Sequence, residues 1–254
     1  MECVLDEGMN QQDEGAHILD VNVSLPEVDE AVLLPAVVGE LQTILNLPLQ
    51  IDTANPAAME AALRRYNGKA MVNSVTGEAA RMEAVFPLVK KYGGVVVALT
   101  MDENGIPATA EERVAIARKI LATAAHWGID KKNLIFDPLT LPISTDHEAA
   151  AVTLEALRRI RQELGCHTVL GISNVSFGLP GRGCLNSLFL TLALENGLSA
   201  AILNPGSAEV QKALHAWRLL KGLDPHCAAY LAAARGLALT TEDTGEGEGS
   251  HVHL

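Results

Sequence analysis

Gly94-Val-Val-Val-Ala-Leu-Thr100, then a stretch with helical spacing from Thr109 to Trp127, then Asn133-Leu-Ile-Phe-Asp-Pro138, is the segment whose reading decides the fold. The two outer runs are short, almost continuously apolar and rich in β-branched residues, as strands buried on both faces must be. The stretch between them opens with the capping box Thr109-x-x-Glu112, which predicts a helix start. A crossover of this length joins parallel strands. Working outward, similar runs recur at His17–Val23, Leu47–Thr53, Lys69–Val75, His167–Asn174 and Ser199–Pro205, with helical segments such as Ala149 to Leu164 between them. Strand and helix alternate throughout, which specifies a parallel sheet covered by helices.

The number of units favours an α/β barrel of the TIM (β/α)8 type, with seven strands readable, over an open doubly wound sheet. Asp20, Asn22, Asp52, Asn73, Thr100, Asp137, Asn174 and Asn204 all fall at or just beyond the C-terminal ends of their strands, the face where such barrels build their sites. Taken singly, each could equally cap a helix or start a turn. A doubly wound sheet would call for a glycine-rich phosphate turn after the first strand. Asp20 to Pro26 contains no glycine, and Gly178-Leu-Pro-Gly-Arg-Gly183 has the wrong spacing for a dinucleotide fingerprint.

Composition narrows the function classes. At 254 residues, 48% hydrophobic and 20% charged, the chain can bury a large core and is too apolar for disorder. A formal charge of −12 and only 4% aromatic residues argue against phosphate-backbone binding and base stacking. No basic stretch precedes an apolar run at the N-terminus and no apolar segment reaches 18 residues, so a cytoplasmic location is expected. Cys3, Cys166, Cys184 and Cys227 include no C-x-x-C pair, which argues against a disulfide framework or a structural zinc, and no metal site is expected. The barrel is expected over 1–236 and an acidic, disordered tail over 237–254.

The strand ends offer carboxylates at Asp20, Asp52 and Asp137, carboxamides at Asn22, Asn73, Asn174 and Asn204, and a cation at Arg182. No G-x-S-x-G elbow marks an activated serine. A carboxylate accepts two parallel N–H bonds, whereas an amide both donates and accepts. Such a set suits a planar heterocycle with alternating donors and acceptors, a purine or a pterin.

Gly15-Ala-His-Ile-Leu-Asp-Val-Asn-Val23, Leu47-Pro-Leu-Gln-Ile-Asp52 and Asn67-Gly-Lys-Ala-Met-Val-Asn-Ser-Val75 resemble the pterin-binding superfamily of methyltetrahydrofolate methyltransferases and dihydropteroate synthases. Tyr92 to Thr100, Gly105-Ile-Pro107, Phe136-Asp-Pro-Leu-Thr140 and Leu170 to Pro180 resemble, within it, the folate-binding module of cobalamin-dependent methionine synthase. The resemblance implies transfer of the N5 methyl of 5-methyltetrahydrofolate to a cob(I)alamin corrinoid carried by a partner domain or protein. It implies that Asp52, Asn73 and Asp137 bind the pterin, with Asp20, Asn22 and Arg182 as further contributors. Asn174 would be the catalytic residue, its carbonyl oxygen stabilising N5 as that amine takes a proton from solvent. A homodimer is a further expectation.

Against the family pattern, the expectation is that the chain starts within the first helix, residues 2–14, with no preceding Gly-Glu-Arg-Ile-Asn type strand. Motifs of the homocysteine-binding zinc domain and of cobalamin-binding domains have no counterpart. Two other readings stay open. A dihydropteroate synthase-like enzyme would need a lysine-bearing stretch where Gly-Ile-Ser-Asn-Val-Ser-Phe stands, and a folate-binding fragment would lack catalysis altogether.

Overall fold

The computed structural model describes residues 1–241. Helix α1 (Glu2–Asp13) leads into seven strands, β1 (Leu19–Asn22), β2 (Leu49–Asp52), β3 (Met71–Val75), β4 (Val95–Leu99), β5 (Leu134–Asp137), β6 (His167–Gly171) and β7 (Ala200–Ile202). Between them run α2 (Glu30–Ile44), α3 (Pro56–Arg65), α4 (Ala79–Tyr92), α5 (Ala110–His126), α6 (Ala149–Arg159) and α7 (Arg182–Glu195), and α8 (Ala208–Leu220) and α9 (Ala228–Thr241) follow β7. All six pairings are parallel and the spatial order is the chain order, β1 to β7. The seven strands form a nearly closed barrel of the (β/α)8 type. Among the described residues no ladder joins β7 to β1. The acidic segment expected as a tail lies, from residue 242 onward, outside the described residues, and α9 occupies the chain up to Thr241.

The helices begin where local chemistry favours it. The Thr109 side chain accepts from the Glu112 N–H and the Glu112 carboxylate accepts from the Thr109 N–H, forming the expected capping box. Asn55 caps α3 ahead of Pro56, whose missing N–H costs nothing at that position.

Alternation along the strands separates two apolar layers. Outward-facing Leu49, Ile51, Val72, Val96, Ala98, Leu134 and Phe136 pack under the helices and belong to the main core. Apart from Ala98, each of these fully buried side chains contributes roughly 2 kcal/mol. Inside the barrel, Val97, Ile135 and Val169 form a separate cluster with Met71, Val95, Leu99, Ala200 and Ile202 around them. The interior side of β1 and β2 carries Asp20, Asn22, Gln50 and Asp52 instead. The barrel interior is therefore polar against β1 and β2 and mostly apolar against β3 to β7, where Asn73 and Asp137 are the inward polar groups near the C-terminal ends of β3 and β5.

Candidate active site

Three predicted site residues stand on one rung of the sheet, on the neighbouring strands β1, β2 and β3. In the parallel register Asn22 lies opposite Asp52, and Asp52 lies opposite Asn73. Asn22 Nδ2 donates to Asp52 Oδ2 at 2.9 Å, so the first two meet directly. One rung deeper, Asp20 is opposite Gln50, whose Nε2 donates to Asp20 Oδ1 at 2.7 Å. Although Asp20 as a whole is exposed, partial loss of water around its carboxyl raises it to about 6, partly countered by the Gln50 bond and reinforced by the charge of Asp52. Burial likewise pushes Asp52 above the usual carboxylate range. Glu30, in the first turn of α2, accepts from Ser24 Oγ at 2.8 Å and from Thr53 Oγ1, and those bonds hold its carboxyl below the ordinary value.

Asp137 ends β5 and is only 9% exposed. Its Oδ1 accepts from the Leu139 N–H at 2.7 Å, and Leu139 takes φ 66°, a left-handed conformation that a leucine adopts only when its surroundings impose it. Burial dominates and raises the Asp137 carboxyl to about 7, against the Leu139 bond and the positive charge of Arg113. Two neighbouring hydroxyls, Thr100 Oγ1 and Thr140 Oγ1, are buried without a hydrogen-bond partner among the described residues. Buried polar groups are rarely left unpaired, so both are available to a ligand or water.

Asn174 lies in the 3-10 turn that follows β6. Its side chain is exposed, makes no hydrogen bond among the described residues, and rests over Gly171, where an added Cβ would come 3.0 Å from Asn174 Nδ2. The same loop carries Arg182, the first residue of α7. Its Nε donates to Ser176 Oγ at 3.0 Å and a terminal nitrogen to the Ser173 carbonyl at 2.9 Å, so those bonds brace the turn on both sides of Asn174. Asn204 uses its Oδ1 to accept from the Gly206 N–H at 2.9 Å, a local turn bond of the kind that any strand-end asparagine makes.

The sequence-predicted residues thus divide into a contiguous group on β1 to β3, a buried carboxyl on β5, and an amide with its bracing arginine after β6. Gln50, Glu30, Arg81 and Arg113 were not singled out from the sequence. Gln50 had a legible signal, since it precedes Asp52 by two positions and so shares its face of the strand.

A family model described as pterin binding enzyme matches residues 1–204, which include every one of these strand ends. The chain belongs to the pterin-binding enzymes. It is 35% identical over 213 residues to the methionine synthase of Mycobacterium tuberculosis, covering 79% of this chain and 18% of that protein. It is 29% identical over 237 residues to the methylcorrinoid:tetrahydrofolate methyltransferase of Eubacterium limosum, covering 91% and 87% respectively. The chain therefore spans about a fifth of the length of the methionine synthases and most of the length of the methyltransferase. Among solved structures, dihydropteroate synthase from Stenotrophomonas maltophilia superposes with a TM-score of 0.69 at 24% identity, covering 87% of this chain and 88% of that one. The enzyme from Xanthomonas albilineans in complex with 7,8-dihydropteroate gives 0.68 at 24%, covering 85% and 84%. At that identity the structural likeness establishes the shared barrel of this pterin-binding family. None of its described helices is long and apolar enough to cross a membrane.

Proposed function

We propose that this pterin-binding enzyme transfers a methyl group between N5 of tetrahydrofolate and the cobalt of a corrinoid held by a partner domain or protein. The observation that carries the reading is the match along nearly the whole length of a relative named for that chemistry. The residues present fit the folate. Asp52, Asn73 and Asp137 supply acceptors and an amide to the pterin edge, and Asp20, Asn22 and Arg182 support them. Asp137 has one oxygen engaged by Leu139 and leaves the other for ligand N–H groups.

A corrinoid, when bound, supplies the cobalt nucleophile or methyl donor, and the chain's own task lies at N5. A tertiary amine leaves poorly unless it gains a proton or a strong hydrogen bond. Asn174 is not a Brønsted acid at neutral pH, so its carbonyl oxygen would accept from protonated N5 while solvent supplies the proton. Its side chain makes no hydrogen bond among the described residues and so is able to turn toward N5. The relative matched over most of its length is named for methylcorrinoid as donor, which favours a second direction, from corrinoid to tetrahydrofolate, through the same contacts in reverse.

Both directions are tested by supplying 5-methyltetrahydrofolate with cob(I)alamin, and tetrahydrofolate with methylcobalamin, and following the cobalamin spectrum. Asn174→Ala is expected to slow transfer about 100-fold with folate affinity little changed. An undiminished rate in that variant removes the assigned role, and absence of folate binding by the unaltered chain removes the whole reading.

A further inference from the structure

Arg81, Arg113 and Arg182 each stand in the first turn of the helix that follows a strand, in α4, α5 and α7. A cation at a helix N-terminus opposes the macrodipole, so these placements need another explanation. Arg81 and Arg113 also lack a carboxylate within ion-pair distance among the described residues.

Their donors go to main-chain carbonyls immediately after the pterin-site residues. Arg81 Nε and Nη2 donate to the Ser74 carbonyl at 3.0 and 2.7 Å, Nη2 also to that of Thr53 at 3.2 Å, and Nη1 to that of Ala54 at 2.6 Å. One fork therefore joins the loop after Asp52 to the loop after Asn73. Arg113 is 1% exposed. Its Nε donates to the Pro107 carbonyl at 2.9 Å, and its Nη1 to those of Pro138 at 2.8 Å and Leu139 at 2.9 Å and to Thr153 Oγ1 at 3.2 Å. It thereby holds the left-handed Leu139 whose N–H binds Asp137. A guanidinium buried against neutral acceptors is a poor device for stability alone, because apolar residues of similar volume often do as well or better.

On the pterin-binding reading, we propose that Arg81 and Arg113 are positioning residues: Arg81 fixes Asp52 relative to Asn73, and Arg113 fixes Asp137 and places a positive charge behind it. Lysine keeps the charge but offers a single ammonium with no planar fork, so it does not span two loops. The charged groups acting on the Arg113–Asp137 pair are Arg113 itself from α5 and Asp146 from the loop between β5 and α6. Loss of the Arg113 charge therefore raises the pH at which Asp137 becomes an acceptor, an effect that a packing defect does not reproduce.

The test is isothermal titration of the full chain with 5-methyltetrahydrofolate across pH, paired with thermal melts that identify the folded range. Arg81→Lys and Arg113→Lys are expected to weaken binding about 10- to 100-fold while still folded, with the pH midpoint of affinity unmoved. Arg113→Gln is expected to shift that midpoint upward. Lysine variants that bind as tightly as the unaltered chain overturn the proposal, and so does an Arg113→Gln variant that folds with its midpoint in place. If the glutamine variant does not fold, the two lysine variants still decide. Failure of the unaltered chain to bind folate overturns the functional reading itself and this proposal with it, whereas failure of the variants alone to differ overturns only the proposal.

Discussion

Strands β5 and β1 each present an aspartate to the barrel interior, and in both the carboxyl is raised, to about 7 at Asp137 and about 6 at Asp20. Their surroundings differ. Asp137 is buried between the β4 and β5 loops, bonded to a main-chain N–H and backed by the charge of Arg113. Asp20 lies on the exposed flank where β1 has no neighbour beyond β2 among the described residues, and its acceptor is met by one amide side chain, Gln50. A rigid acceptor with fixed geometry suits recognition of a planar edge, whereas an exposed one held by a single flexible partner suits a supporting role. The two ends should therefore respond to the same substitution by very different amounts.

Asp137→Asn should have the larger effect. The amide leaves one acceptor where the carboxylate offered two and removes the negative charge that acts most strongly on buried Arg113. Hydrogen bonds to charged groups are worth about 1.5–3 kcal/mol each, so folate affinity should fall about 100-fold or more. Asp20→Asn should weaken it by only a few-fold. Titration calorimetry on the two variants checks the ranking, and equal losses would erase the distinction between the two ends.

The raised carboxyls also set a sign for stability against pH. In the folded chain Asp137 and Asp20 hold protons up to about 7 and about 6, whereas in the unfolded chain both titrate near 3.8. Between these limits the native state binds more protons, so their contribution to stability is full below about pH 4 and is lost as pH rises through 6 and 7. Melting temperature of the ligand-free protein should carry a downward component across that window. Asp137→Asn should flatten it more than Asp20→Asn, and a slope unaltered in both variants would show that neither carboxyl is perturbed as described.

Most of this architecture was legible in the residues. Near-continuous β-branched runs located all seven strands, since a strand covered on both faces has little freedom to be anything else. The polar residues at their C-terminal ends followed from the same positions. Sequence alone did not reveal which of them act together, because the row Asn22, Asp52, Asn73 exists only through the register of neighbouring strands. Arg81 and Arg113 were hidden for a different reason: their partners are main-chain carbonyls 25 to 28 residues away for the loops after Asp52 and Asp137, and a carbonyl has no sequence signature. Their one visible trace was a cation in the first turn of a helix. Asn204 shows the converse, a strand-end carboxamide whose acceptor is satisfied within its own turn.

The smallest effect sharpens the contrast most. Gln50→Leu removes the side-chain donor to Asp20 and leaves Asp52, Asn73 and Asp137 in place. Without that bond the desolvation of Asp20 is less opposed, so its midpoint should rise above about 6. The Asp137 midpoint should stay where it is, since the groups that act on it are Leu139 in the loop after β5 and Arg113 in α5, neither of which touches Gln50. Carboxyl carbon NMR titration reads both groups in one experiment, and folate affinity should change by less than about threefold, the loss of one supporting hydrogen bond. An unmoved Asp20 would mean that Gln50 does not govern the exposed end. Joint movement of Asp20 and Asp137 would mean that the two ends titrate as one coupled site, and the barrel interior would then have to be treated as a single acid cluster rather than as a rigid acceptor and a supporting one.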